Sequence, residues 1–174
     1  MKRISILIFV AALAFSAIAS TVPTQNLRKV FHAAVLDAEK IPEFLSIVKG
    51  IKNPTPIEMA YQAAAEALKA QEEWNPVEKL LYLKKFNKMM QKAVDLDASE
   101  IEIRFLRFGI EYNIPGILGF SKNMPSDKQM IIDSVARIEK FEVDQNFTRY
   151  ILTLLSDSGL CSEEEINLVR SKIQ

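Results

Sequence analysis

Along the chain, apolar residues recur at intervals of three and four far more than at intervals of two, the spacing of one buried face of an α-helix. Read between stop and start signals, this periodicity predicts about eight helices, over 25–39, 42–49, 56–72, 76–95, 99–113, 125–140, 144–156 and 162–172. Thr55, Asn75, Ser99 and Ser162 each stand three residues before a glutamate: Glu58, Glu78, Glu102 and Glu165. At that spacing the cap side chain and the glutamate each satisfy an otherwise orphaned backbone N–H. Pro56 and Pro76 fall at the first helical position, where no N–H is needed. Gly50 and Gly159 read as C-terminal stops. Only Ile101, Ile103 and Phe105 alternate like a strand. They follow a capping box and run on into Leu106 and Phe108 at helical spacing, so this segment is also read as helix.

Two of these helices carry more than one apolar side. In 99–113, Ile101, Phe105, Phe108 and Tyr112 form one side and Ile103, Leu106 and Ile110 another, which predicts a helix sandwiched between neighbours. In 76–95, Val77, Leu80 and Leu81 occupy the side that further along becomes Lys85, Lys88 and Lys92. The main stripe there is Phe86, Met89, Met90, Ala93 and Leu96. The first two turns are therefore expected to touch a different helix from the last three, the staggered contact that stacked helical hairpins produce.

At the joint between those helices, Gln91-Lys92-Ala93-Val94-Asp95-Leu96-Asp97 resembles the end of the second helix of a tetratricopeptide repeat. Phe105-x-x-Phe108-Gly109-x-x-Tyr112 resembles the start of the next repeat's first helix, and the register fits the family's period of about 34 residues. Tyr61-x-x-Ala64-Ala65-x-x-Leu68 is the weaker counterpart upstream, with small alanines that let two helices approach. Ala98 stands where the family has proline. The resemblance covers about 55–140. It implies an all-α fold of antiparallel helix pairs, stacked as a short right-handed array with a concave groove that takes up a peptide or another protein.

The first nineteen residues change the picture of where such a domain would work. Lys2 and Arg3 precede the apolar run Ile4 to Phe15 and the small-residue site Ala17-Ile18-Ala19, the three parts of a secretory leader. Cleavage after Ala19 is expected, leaving a single all-helical domain over 20–174. No cysteine lies at that junction for a lipid anchor, and no second long apolar segment follows, so the mature chain is expected to be exported, periplasmic or extracellular, without stable membrane insertion. Loss of the leader leaves 20 basic against 22 acidic residues, which gives no reason to expect nucleic acid as a partner. Cys161 is the single cysteine. It allows no internal disulfide, and with the acidic run Glu163 to Glu165 beside it, it reads as inert.

Candidate chemistry is sparse. His32, the single histidine, has no serine or cysteine that local sequence places beside it, and no metal, phosphate or calcium motif is present. The expectation is therefore a binding module with no catalytic residues, cofactor or metal. Two alternatives are a carrier of a small apolar ligand, with an enclosed pocket between the central helix and the apolar loop Ile114–Phe120, and a hydrolase using scattered carboxylates. An open groove favours the module and an enclosed cavity the carrier, whereas a hydrolase needs two carboxylates with raised pKa values in one cleft.

The candidate contacts for an unknown protein or peptide are Tyr61, Arg104, Arg107, Phe108, Tyr112, Ile117 and Phe120. Arg104 and Arg107 are able to clamp a carboxylate, against the plainer reading of ion pairs with Glu100 and Glu111 along the helix. Ile117 and Phe120 belong to the apolar loop, read as a plug at the end of the stack in preference to a groove lip. Tyr61, Trp74 and Tyr112 are expected to be partly exposed, and Lys84, Lys88 and Lys92 to form a solvated face.

Overall fold

A computed structural model describes residues 23–137 and 145–172. The expected leader over 1–19, residues 138–140 of the sixth expected helix and residue 144 of the seventh lie outside the described residues. The fold is all-α, with eight α-helices and no strand among the described residues. They are α1 (Thr24–Leu36), α2 (Ile41–Gly50), α3 (Pro56–Glu72), α4 (Pro76–Leu96), α5 (Ile101–Asn113), α6 (Met124–Arg137), α7 (Gln145–Asp157) and α8 (Glu163–Ser171). Short 3-10 turns occupy Ala38–Lys40 and Gly116–Leu118.

The four expected capping boxes have different outcomes. Thr55 with Glu58 and Ser162 with Glu165 make complete capping boxes. The Asn75 side chain accepts from the Val77 N–H, without a reciprocal bond from Glu78. The box expected at Ser99 does not form, because Glu102 is turned into the core and α5 starts two residues later, capped by Glu100. Asp97 instead accepts from the N–H groups of Ser99 and Glu100. Gly159 takes the left-handed backbone of a helix stop after α7, while the corresponding strain beyond α2 falls on Asn53, with φ 52°.

α5 divides two cores, and the two apolar sides read from its sequence are the two faces that do so. Ile103 and Leu106, with Ile110 packed beside them, join a core built by α1 to α4 around Phe44, Tyr61, Phe86 and Met90. Phe105 and Phe108, with Ile101, join a second core of α6, α7 and α8 around Ile131, Ile151 and Leu155. The most extensive helix contacts are α3 on α4 and α5 on α6, and α3 also packs on α5. A helix that loses both faces to neighbours has little surface left, and three charged residues of α5, Glu102, Arg107 and Glu111, are buried and find their partners inside the fold.

Two expectations for α4 are corrected. Leu96 is exposed and Val94 takes its place in the buried stripe, since helical geometry sets 94, not 96, on the side of Leu83 and Met90. The first two turns do not find a second helix: Val77 and Leu81 are 66% and 44% exposed, and only Leu80 is half-buried.

Candidate functional site

Two adjoining clefts lie where α1, α3, α5 and α7 come together. The first, about 600 Å³, is walled by Ala64, Ala67, Leu68 and Ala70 of α3, by Leu106, Gly109 and Ile110 of α5, and by Leu83 of α4. Val35 of α1, Leu154 of α7, and Ile114, Pro115 and Leu118 of the following turn complete it, with Gln71, Lys79 and Asn113 as its polar fringe. The second, about 750 Å³, is lined by Gln25, Arg28, Lys29 and His32 of α1, Tyr61 of α3, and Phe147, Arg149 and Thr153 of α7. Phe31, Phe105, Leu106 and Tyr150 belong to both. Both clefts are partly open to solvent.

Small residues create the first cleft. The alanines of α3 reach little beyond the backbone, so α3 and α5 face each other across a space that larger side chains would fill. Gly109 lets α7 come close, because a Cβ there would stand 2.9 Å from Leu154 Cδ2. The aromatic wall shared by the clefts is held edge-on: Phe105 meets Phe147 and Tyr150 at centroid distances of 5.2 and 5.5 Å, and His32 meets Tyr150 at 5.4 Å.

At the floor of the second cleft lies a polar triad, in which Tyr61 and Glu102 are buried and Arg28 is half-buried. Glu102 accepts from Arg28 Nε at 2.8 Å and Nη2 at 2.5 Å, and from the Tyr61 hydroxyl at 2.5 Å. Burial and the adjacent Glu102 anion push the Tyr61 phenol far above its ordinary range, so it stays a donor. Arg28 is raised by its hydrogen bond to Glu102 and lies over the Phe147 ring, 5.0 Å from its centroid. The triad therefore ties α1, α3 and α5 together and touches α7.

A second charged cluster joins α5 to α6. Arg107 holds Asp127 through Nε and Nη2, both at 2.6 Å, and Gln91 through Nη1 at 2.9 Å. Arg104 adds Nη1 to Asp127 at 3.1 Å and also donates to the Ala98 carbonyl. The arginines thus find a carboxylate on the next helix instead of Glu100 and Glu111. Glu100 caps its own helix, and Glu111 accepts from the backbone and side chain of Asn123. Burial raises the Glu111 carboxyl against the hydrogen bonds from Asn123. Glu111 and Asp127 line neither cleft.

Of the seven residues expected to make contacts, Tyr61 alone lines a cleft, as its buried floor. It is 1% exposed, which corrects the expectation of partial exposure. Phe108 is buried in the second core. Tyr112 is partly exposed and donates to the Asp157 carbonyl. The apolar loop is not the plug expected. Its 3-10 turn sends Ile114 against the first core and Leu118 to the first cleft, and leaves Ile117 95% exposed, with Phe120 half-buried.

Sequence reading missed Phe31, Tyr150 and Ala67, since no local spacing connects three helices. The alanine run of α3 was the one signal of a hollow. Burial raises the Cys161 thiol, with Glu165 adding to the shift, and no group of three or more metal-ligating side chains converges among the described residues. No helix among the described residues is long and apolar enough to cross a membrane. Comparison with protein-family models, curated proteins and solved structures finds no significant match to this chain.

Proposed function

We propose that this chain is an exported interaction module that holds an apolar segment of a protein or peptide in the first cleft. The observation that carries the reading is the cleft itself, partly open to solvent and lined mainly by apolar side chains. Its principal walls are α3, α5 and α7. In a stack of tetratricopeptide-like hairpins these are the first helices of successive pairs, and first helices line the groove of such a stack. The packing of α3 on both α4 and α5 is in keeping with that arrangement. The basic start, apolar run and Ala17-Ile18-Ala19 site at the N-terminus support export.

Openness favours the module over a carrier, which needs an enclosed cavity. The volume and apolar lining nonetheless lie within the range of small-ligand sites. Organic extraction of the purified protein, followed by mass spectrometry, separates the two readings, because a carrier retains an apolar small molecule.

The direct test is selection of peptides from a displayed random library on the native protein, with rebinding to Ala67→Trp and Leu118→Asp. Ala67→Trp fills the cleft, and Leu118→Asp charges its exposed rim without touching either core. The module reading expects peptides rich in leucine and aromatic residues that lose at least about tenfold in affinity on both variants, the cost of losing one well-buried anchor. Peptides that bind both variants as well as the native protein move the groove elsewhere.

A further inference from the structure

We infer that the outer face of α4 is a docking surface for an anionic lipid bilayer, with Trp74, Val77 and Leu81 entering the interface and lysines behind them meeting the headgroups. Trp74, in the turn before α4, is 95% exposed, and Val77 and Leu81 follow it uncovered on one side of the helix. Lys84, Lys88 and Lys92 continue that same side at helical spacing, and all three are exposed. Among the described residues none of the three makes an ion pair. Lys85 adds a fourth charge beside the Tyr82 ring. Against these stand Glu78 at the edge of the face and Asp95 at its far end, where Asp95 accepts from Gln91.

The pattern fits a bilayer better than a folded partner. Indole is amphipathic and favours the headgroup level, aliphatic side chains beside it reach the acyl boundary, and long lysine side chains extend to phosphates. The face is the convex side of one helix, with no hollow to receive an anchor. Lys79 and Leu83, which line the first cleft, lie on the opposite side of α4. Docking therefore leaves the proposed groove open, and the inference stands or falls apart from it.

Trp74 is the only tryptophan, so its emission reports from the face itself. The test titrates the mature chain, residues 20–174, with vesicles of phosphatidylglycerol, or of phosphatidylcholine alone, with brominated acyl chains as quenchers. Phosphatidylglycerol is expected to shift the emission to the blue and quench it. Raised salt should reverse the binding, since exposed charges are screened, and phosphatidylcholine should have no effect. Replacing Lys84, Lys88 and Lys92 by Gln should weaken binding by at least about tenfold, and Val77→Ser with Leu81→Ser should abolish quenching; circular dichroism checks that both variants fold.

The inference is overturned by unchanged emission on phosphatidylglycerol, or by binding that the lysine variant retains. It is equally overturned by a blue shift that grows with protein concentration without vesicles, which marks a second copy on the face. A shift given by polyglutamate, with no quenching by brominated lipid, marks an acidic polypeptide as the partner instead.

Discussion

Asp127 is fully buried, and Arg107, with 3% of its side chain exposed, faces it through two nitrogens while Arg104 adds a third. Taking one partner away strands the other. Asp127→Ala is therefore expected to lower unfolding stability in urea by about 3–5 kcal/mol, whereas Asp127→Leu combined with Arg107→Met should recover most of that loss. A small loss in the single variant would mean that Arg107 reaches water. The arginines themselves were legible, because charges on a doubly apolar helix need a partner. Asp127 was not, since it lies on another helix and nothing local points to it. Glu102 misled for a related reason: its position fits a capping box, but a bidentate arginine and a buried phenol outweigh two backbone N–H groups at a helix end. Tyr61→Phe should cost about 1.5–3 kcal/mol, as for a hydrogen bond to a charged group. The phenol's folded-state pKa is raised, so its contribution is present below about pH 10 and declines as pH rises beyond that value. Alkaline unfolding of Tyr61→Phe should lack this component, and an identical pH profile in the two proteins would contradict the triad.

At the scale of the element, the sequence marks that survived are those set by chemistry internal to one helix. Thr55, Asn75 and Ser162 mark helix starts, and the two faces of α5 predict the two cores it divides. The marks that failed depend on what stands opposite. Val77 and Leu81 look like buried positions until no helix arrives to cover them. Ile117 looks like a plug until a three-residue turn points it outward. Gly109 tests how α7 is seated. Gly109→Ala should be nearly neutral, because Leu154 Cδ2 is the free end of a flexible side chain and alanine recovers about 1 kcal/mol of helix propensity. Gly109→Leu has no such escape and should lift α7 away. Hydrogen exchange should then show lost protection in α7 with α3 and α4 unchanged, while unchanged protection in α7 would place it elsewhere.

For the whole molecule, the all-α class and the succession of eight helices were readable because each helix carries its own periodicity and stops. The clefts were not, because Phe31, Ala67, Phe105 and Tyr150 come from four helices, and only folding brings them together. The first cleft as a working groove is what most needs testing. The most direct test is capture from cell-envelope extract with the native chain as bait, beside Ala67→Trp and Leu118→Asp baits shown by circular dichroism to fold. A working groove predicts a protein retained by the native bait and lost from both variants. A protein recovered equally by all three baits, or none recovered by the native one, contradicts it.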